Sequence, residues 1–215
     1  ALAALVTLSP AVVAISPEAA EVQLQLARLL FEDGRYVEAF NAYEQVKSVE
    51  DRRIKRESLI GAVKTALRLG DFSHAYADGQ LLARAFPKNP DAIANYADAL
   101  WAVRSRRDAA ADAYRRAVFL AERALSVDAS DAETWAQLGY YYSRLGDPGK
   151  AQRYVAKAMG LAPTLPYVHY FAALVAAGRG DRTLAREHAD KAEQLGYSRR
   201  LIAADPALKG SIGKG

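Results

Sequence analysis

The sequence contains no cysteine, and it has one methionine and two tryptophans. The absence of cysteine excludes disulfide bonds, catalytic thiolates and metal sites with cysteine ligands. The net charge is +4 at pH 7, which is too small to indicate a nucleic-acid partner by itself. Hydrophobic residues make up 51% of the chain, so a sizeable core can be buried.

Sequence motifs of catalysis and cofactor binding are also missing. The chain has neither G-x-S-x-G nor G-x-G-x-x-G, and Gly213-Lys214 lacks the spacing of a phosphate-binding loop. The three histidines lie on different predicted helices without a metal-binding spacing: His74, His169 and His188. We expect His169 to pack inside the protein and the other two to lie at the surface. The sequence therefore predicts no catalytic residue, no metal site, no cofactor and a non-enzymatic function.

The most regular pattern in the sequence runs from Glu133 to Pro163. Its first half has four residues at positions i, i+3, i+4 and i+7, which share one face of a helix: Trp135, Leu138, Gly139 and Tyr142. Gly146 and Asp147 then indicate a turn. The second half places further apolar side chains on one helical face, at Ala151, Val155 and Ala158. This pattern predicts two helices joined by a turn, packed through their apolar faces.

This stretch resembles the tetratricopeptide (TPR) repeat. It matches the pattern W-x2-L-G-x2-Y, then A-x3 and a large residue, then P, except that Val155 replaces the late aromatic residue. The resemblance implies an all-α, right-handed solenoid of about five helix–turn–helix repeats over residues 18–196. The predicted repeats span about 20–53, 56–88, 90–131, 132–165 and 166–197. Residues 197–215 are predicted to form a C-terminal cap and a flexible tail.

The third predicted repeat departs most from the regular spacing. It has no glycine at its turn, and the interval from Pro87 to the equivalent Ala129 is 42 residues. The fourth and fifth repeats are 34 residues apart, from Trp135 to His169, so about eight residues are extra. These residues lie within 103–123. We expect a second helix lengthened by about two turns, in preference to a longer connecting loop.

The N-terminal segment, residues 1–17, begins with an apolar run without charged residues. Two interpretations are open: a packing segment that covers the first repeat, which we favour, or the remnant of a signal peptide. The run is too short to cross a bilayer, at about 15 residues. Membrane association could therefore arise only through this apolar N-terminus. For the protein as a whole, we lean towards the bacterial envelope or a secreted location over the cytoplasm.

The first helices of successive repeats line the concave surface of such a solenoid. Register places two sets of candidate binding side chains on this surface. The first two repeats contribute a basic half, formed by Arg28, Lys64 and Arg68. The last three repeats contribute aromatic side chains and one arginine: Trp101, Tyr140, Arg144, Tyr170 and Phe171. Because aromatic and arginine side chains often anchor binding, we expect a peptide partner with an acidic end and an apolar end.

The concave surface allows two other interpretations. Tyr170 and Phe171 could instead pack against the C-terminal cap, with the arginines solvated. TPR co-chaperones hold a C-terminal carboxylate through lysine and asparagine at positions that here carry Leu24, Arg28 and Gly61. Because none of these is the expected residue, we do not expect that mode of recognition.

The primary hypothesis is a non-enzymatic scaffold that binds a protein or peptide partner in the concave groove and supports assembly of a larger complex. The alternative is a TPR regulatory or scaffolding region of a larger enzyme whose catalytic domain lies upstream. Basic clusters occur at 52–56, at 104–107 with Arg115 and Arg116, and at 199–200. They are interleaved with acidic residues or lack alternating aromatics, so we expect no nucleic-acid partner. Self-association through the ends of the solenoid is left open.

Overall fold

The computed structural model describes residues 15–212, and every regular element in this range is a helix. Ten of the helices form five pairs: α1 (Pro17–Glu32) with α2 (Tyr36–Val46), α3 (Arg52–Leu69) with α4 (Phe72–Ala85), α5 (Pro90–Ala102) with α6 (Arg107–Leu125), α7 (Ala132–Arg144) with α8 (Pro148–Leu161), and α9 (Pro166–Gly178) with α10 (Arg182–Gln194). A short helix, α11 (Arg199–Ala204), follows the last pair. The all-α solenoid of five helix pairs is confirmed.

The predictions for the two chain ends fall partly outside this range. Both interpretations of the N-terminal segment concern mainly residues 1–14, which lie outside the described residues, as do residues 213–215 of the predicted tail. Between residues 15 and 212, none of the helices is both long enough and apolar enough to cross a lipid bilayer.

Side-chain caps explain where most of the helices begin. Asp147 precedes α8, and its Oδ1 accepts a hydrogen bond from the backbone N–H of Lys150 at 2.9 Å. Such a cap satisfies one of the backbone donors that the first helical turn leaves unpaired. The same contact starts six other helices of the five pairs, at Ser16, Asp51, Asp71, Asn89, Asp131 and Asp181.

The turn inside each helix pair depends on glycine in four repeats and is different in the third. Four turn glycines have φ between 75° and 78°, a conformation that costs other residues energy: Gly34, Gly70, Gly146 and Gly180. The third repeat has no such glycine. It leaves α5 through Val103 in extended conformation and then forms a 3₁₀ turn, Arg104–Arg106. The missing glycine therefore gives a different connection.

The insertion in the third repeat is divided between its second helix and the connections around that helix. Helix α6 has 19 residues, whereas α8 has 14. The connection 103–106 is one residue longer than 145–147, and 126–131 is two residues longer than 162–165. A lengthened second helix is confirmed, but it gains five residues, which is less than the two turns expected.

Close contact between α7 and α8 requires a glycine in the fourth repeat. A Cβ placed on Gly139 would lie 2.4 Å from Cγ2 of Val155 and 3.0 Å from the carbonyl oxygen of Ala151. Leu138 beside it is fully buried. The predicted packing face of this repeat is therefore the face that it buries.

The histidine predictions are partly wrong. His169 packs inside as expected, with 8% of its surface exposed, and its Nε2 donates to the carbonyl oxygen of Pro163 at 2.9 Å. His188 was expected to lie alone at the surface, but it is half-buried, and its Nδ1 is 3.4 Å from Nδ1 of His169. No set of three or more His, Cys, Asp or Glu side chains within 15–212 is arranged to hold a metal ion.

Candidate functional site

The first helices of the pairs pack side by side and form one surface, called the concave surface here. Helix α1 contacts α3, α3 contacts α5, and α7 contacts α9, while a hydrogen bond from Tyr140 to Asp98 joins α7 to α5. All eight predicted binding residues lie on these first helices: Arg28 on α1, Lys64 and Arg68 on α3, Trp101 on α5, Tyr140 and Arg144 on α7, and Tyr170 and Phe171 on α9. Five repeats thus contribute to a single candidate site.

Lys64 is the most accessible of the predicted residues. Its side chain is exposed and forms no ion pair with any residue of 15–212. Desolvation by the neighbouring protein lowers the pKa of Lys64. The negative charges of Asp91 and Asp98 oppose that effect. Because its side chain is exposed and has no ion-pair partner within 15–212, Lys64 is available to a partner.

Asp98 holds the aromatic side of the concave surface together. The hydroxyl of Tyr140 donates to Asp98 Oδ1 at 2.7 Å, and the hydroxyl of Tyr114 donates to the same oxygen. Nε of Arg144 donates to the Tyr114 hydroxyl at 3.1 Å. Burial raises the pKa of Asp98, against the opposing effects of Arg144 and the two tyrosines. Tyr140 and Arg144 were expected to be free for a partner, but in the free chain both have partners of their own.

Trp101 lies against two arginines. The guanidinium carbons of Arg107 and Arg144 are each 4.1 Å from the centroid of its indole ring. Arginine over an indole face is a favourable cation–π contact. Arg107 begins the lengthened helix α6, and register could not assign it to the concave surface. The basic cluster 104–107 was the only sequence signal for this contact.

The C-terminal segment, residues 197–212, occupies part of the concave surface. Nη2 of Arg68 donates to Asp205 Oδ2 at 2.9 Å, and the hydroxyl of Tyr170 donates to the same oxygen at 2.7 Å. The ring of Tyr197 stacks on that of Tyr170 with centroids 4.5 Å apart. Asp205 thus joins the second repeat to the fifth. The alternative in which Tyr170 and Phe171 pack against the C-terminal cap is confirmed. Its expectation that the arginines are solvated is wrong for Arg68, which is mostly buried and paired with Asp205.

The other two predicted residues also have intramolecular partners. Arg28 forms an ion pair with Glu57 on the neighbouring first helix. Phe171 has 8% of its surface exposed and packs against Tyr140 and Tyr167, with centroids 5.7 and 4.6 Å away. In the basic half, both arginines are therefore paired with carboxylates, which leaves Lys64 as its accessible charge.

The positions that co-chaperones use for a carboxylate are structural in this chain. Leu24 is completely buried in the core of the first repeat. A Cβ placed on Gly61 would lie 2.3 Å from the ring of Tyr43, so the absence of a side chain there admits the tyrosine. Burial raises the pKa of Tyr43 to about 12. These positions fill space between the first two repeats.

Arginines of the basic clusters contact neighbouring parts of the chain. Arg53 pairs with Glu21 on α1, and Arg116 donates to the carbonyl oxygen of Pro87 at 2.7 Å. Arg200 contacts Asp33, which caps the end of α1. These contacts account for much of the basic charge that the sequence concentrates in short stretches.

Comparisons with known proteins agree with this fold. The family model described as the tetratricopeptide repeat matches residues 132–165. The crystal structure of TTC0263, a thermophilic TPR protein of Thermus thermophilus, is 22% identical, with a TM-score of 0.60 over 89% of this chain and 100% of that chain. A chain of the APC/C hetero-tetramer Cut9–Hcn1 is 19% identical, with a TM-score of 0.52 over 92% of this chain and 37% of that chain. A search of curated proteins found no match.

Proposed function

Because residues 132–165 are a tetratricopeptide repeat and the described chain has the fold of a TPR solenoid, we propose that this protein is a non-catalytic interaction scaffold. It binds a protein or peptide partner on the concave surface and supports assembly of a larger complex. One observation carries the proposal. The side chains predicted to bind lie on the first helices of all five repeats, and Lys64 among them is exposed.

The chemistry of the surface favours a partner that is acidic at one end and apolar at the other. Lys64, in the second repeat, supplies an accessible positive charge. Trp101, Tyr140 and Tyr170 supply aromatic surface towards the other end, and all three are partly accessible. Charge complementarity sets orientation and encounter rate, while aromatic contacts supply most of the affinity.

Lys64→Met tests the proposal with little disturbance of the fold. The variant removes the accessible charge but keeps an aliphatic side chain of similar length. Proteins captured from cells by the tagged wild-type chain should be lost with the variant. For a purified partner, we expect binding weaker by about tenfold, the loss of roughly 1.4 kcal/mol. Isothermal titration measures this difference.

The matched control is Lys157→Met on α8. Lys157 is also exposed, but it belongs to a second helix, away from the concave surface. The Lys157→Met variant should retain every partner of the wild-type chain. If Lys64→Met retains them all at the same level, the concave surface is not the binding site. Partner binding by the other seven residues stays a prediction: Arg28, Arg68, Trp101, Tyr140, Arg144, Tyr170 and Phe171.

A further inference from the structure

The C-terminal segment is attached to the fifth repeat through apolar side chains. Ile202 has 3% of its surface exposed and Leu208 has none, and both pack in a cluster with Val168 and Phe171 of α9. Asp205 lies between them in sequence. The two apolar residues therefore place one carboxylate over the middle of the concave surface.

Its attachment to the second repeat is polar and depends on one arginine. Arg68 binds the segment at two points: Nη1 donates to the carbonyl oxygen of Ala204 at 2.8 Å and Nη2 donates to Asp205 Oδ2 at 2.9 Å. The side chain of Arg68 is only 13% exposed, so this is a partly desolvated, charge-assisted contact. The arginine recognises a backbone carbonyl and the following carboxylate together.

The C-terminal segment contacts the first repeat more weakly than it contacts the second. Arg200 pairs with Asp33, but both side chains are more than half exposed, and such pairs contribute little. An open cleft separates residues 198–200 from α1, where Leu26 and Leu29 remain 44% and 64% exposed. The segment is therefore held mainly by its apolar side chains and by Arg68 with Tyr170.

We propose that Arg68 and Tyr170 form a recognition site for an acidic side chain between apolar residues, and that the C-terminal segment is an intramolecular ligand that fills this site. The partner is then an acidic peptide that competes with Asp205. This inference rests on the proposed function, because it names the chemistry of the partner and the step that regulates its access.

Charge complementarity supports an acidic partner at this site. Lys64, one helical turn before Arg68 on α3, has no ion-pair partner within 15–212. Asp205 uses its two oxygens for Arg68, Tyr170 and the backbone N–H of Ala207, and none of these contacts involves Lys64. A partner with a second carboxylate gains a contact that the internal ligand lacks. The nearby Asp91 and Asp98 set a limit because they attract the same lysine, as does Asp205 itself from beyond contact distance.

The chain's own segment provides the probe for a direct test. A fluorescent peptide with the sequence of residues 197–212 is added to full-length proteins, and its anisotropy is measured. In the wild-type chain the tethered segment competes at a high effective concentration, so the peptide should bind weakly. A release variant with Ile202→Ser, Asp205→Asn and Leu208→Ser should bind it at least about tenfold more tightly.

Two controls test whether the recognition is specific for Asp205 and Arg68. The peptide with Asp205→Asn should lose binding to the release variant, while its Asp205→Glu form should keep part of it. Adding Arg68→Met to the release variant should abolish binding of the original peptide. If the release variant does not fold by circular dichroism, the Asp205→Asn chain replaces it, with a smaller gain expected.

The inference is overturned if a folded release variant binds the peptide no better than the wild-type chain does. It is also overturned if binding survives Arg68→Met or is the same for the asparagine peptide. None of these outcomes requires the natural partner to be known. They are therefore distinguishable from a failure of the proposed function, which is tested with Lys64→Met and cellular partners.

Discussion

The fourth and fifth repeats have the same geometry and different chemistry. They are 34 residues apart, and His169 occupies the position of Trp135. Nε1 of Trp135 donates to the carbonyl oxygen of Ala129 at 2.9 Å, and Nε2 of His169 donates to the equivalent Pro163 at the same distance. A hydrogen bond and its position are thus kept while the ring that makes it is replaced.

The ring that packs against each of these residues also differs between the two repeats. Trp135 packs on Tyr154 with centroids 5.4 Å apart, and His169 packs on His188 with centroids 5.6 Å apart. Tyr154 and His188 are again 34 residues apart. The repeat therefore fixes where a pair of rings lies, while the residue types decide whether the pair contains a group that titrates near neutral pH.

A second difference between the two repeats concerns how closely the two helices of each pair approach. It gives the largest expected change in the free energy of unfolding. The fourth repeat pairs Gly139 with Val155, whereas the fifth has Ala173 and Ala189 at these positions. Gly139→Ala should lower the free energy of unfolding by about 1–3 kcal/mol, because the new Cβ overlaps Val155. Adding Val155→Ala recreates the pair of the fifth repeat and should recover part of the loss.

Urea unfolding of both single variants and the double variant measures this coupling. We expect an interaction energy of roughly 0.5–3 kcal/mol, since the two residues are in direct contact. Gly160→Ala in α8 is the control, because nothing lies within 4 Å of the added Cβ and alanine favours a helix. Additive losses from Gly139→Ala and Val155→Ala would mean that the contact does not limit helix approach.

The turn is the feature that the two repeats share most closely, and it gives the next largest effect. Gly146 and Gly180 have φ of 77° and 78°. Alanine at either position should lower the free energy of unfolding by about 1–2 kcal/mol, because a Cβ disfavours this conformation. Thermal or urea unfolding checks whether the two losses are equal.

The third repeat is the contrast for this prediction. Val103 at its turn is extended, with φ of −95°, so glycine there relieves no strain. Val103→Gly should destabilise by roughly 0.5–1 kcal/mol through the entropy of the unfolded chain. A stabilising effect of Val103→Gly, or a negligible cost at Gly146 and Gly180, would contradict the role assigned to the turn conformation.

The sequence predicted those features of the fold and of the candidate site that follow from the spacing of the repeats. The spacing within Glu133–Pro163 identified the repeat, the helix pairs followed, and all eight candidate residues lie on first helices. Register also contained the signal for the histidine pair, because His188 follows Tyr154 by 34 residues. That signal was missed because Tyr154 is not part of the repeat pattern.

Contacts that depend on curvature could not be predicted. Arg68 and Asp205 are 137 residues apart in sequence and meet only because several repeats turn the chain towards itself. The small rotation of each repeat accumulates over the array, and no local pattern encodes the sum. The partner of Arg144 could not be predicted for a different reason: Tyr114 belongs to the lengthened helix α6, where register is lost.

The smallest expected effect is a pH dependence of stability that arises from the histidine of the fifth repeat. Burial lowers the pKa of His188, and the neighbouring His169 lowers it further, while Glu187 opposes both. The ordinary value is about 6.5, which the unfolded chain retains. Below that pH the unfolded chain binds more protons than the folded chain, so stability falls. It stops falling once the pH lies below the folded pKa of His188.

His188→Tyr gives the fifth repeat the residue of the fourth and removes this titration. We expect the unfolding free energies of the wild-type chain and the variant to run parallel above about pH 7.5 and to diverge between about pH 6.5 and pH 5, with the wild-type chain losing more. Urea unfolding across that range measures the difference, in which the contributions of carboxylates that do not act on His188 cancel. A constant separation of the two curves would show that the ring pair of the fifth repeat, despite its histidines, is as indifferent to pH as the tryptophan and tyrosine of the fourth.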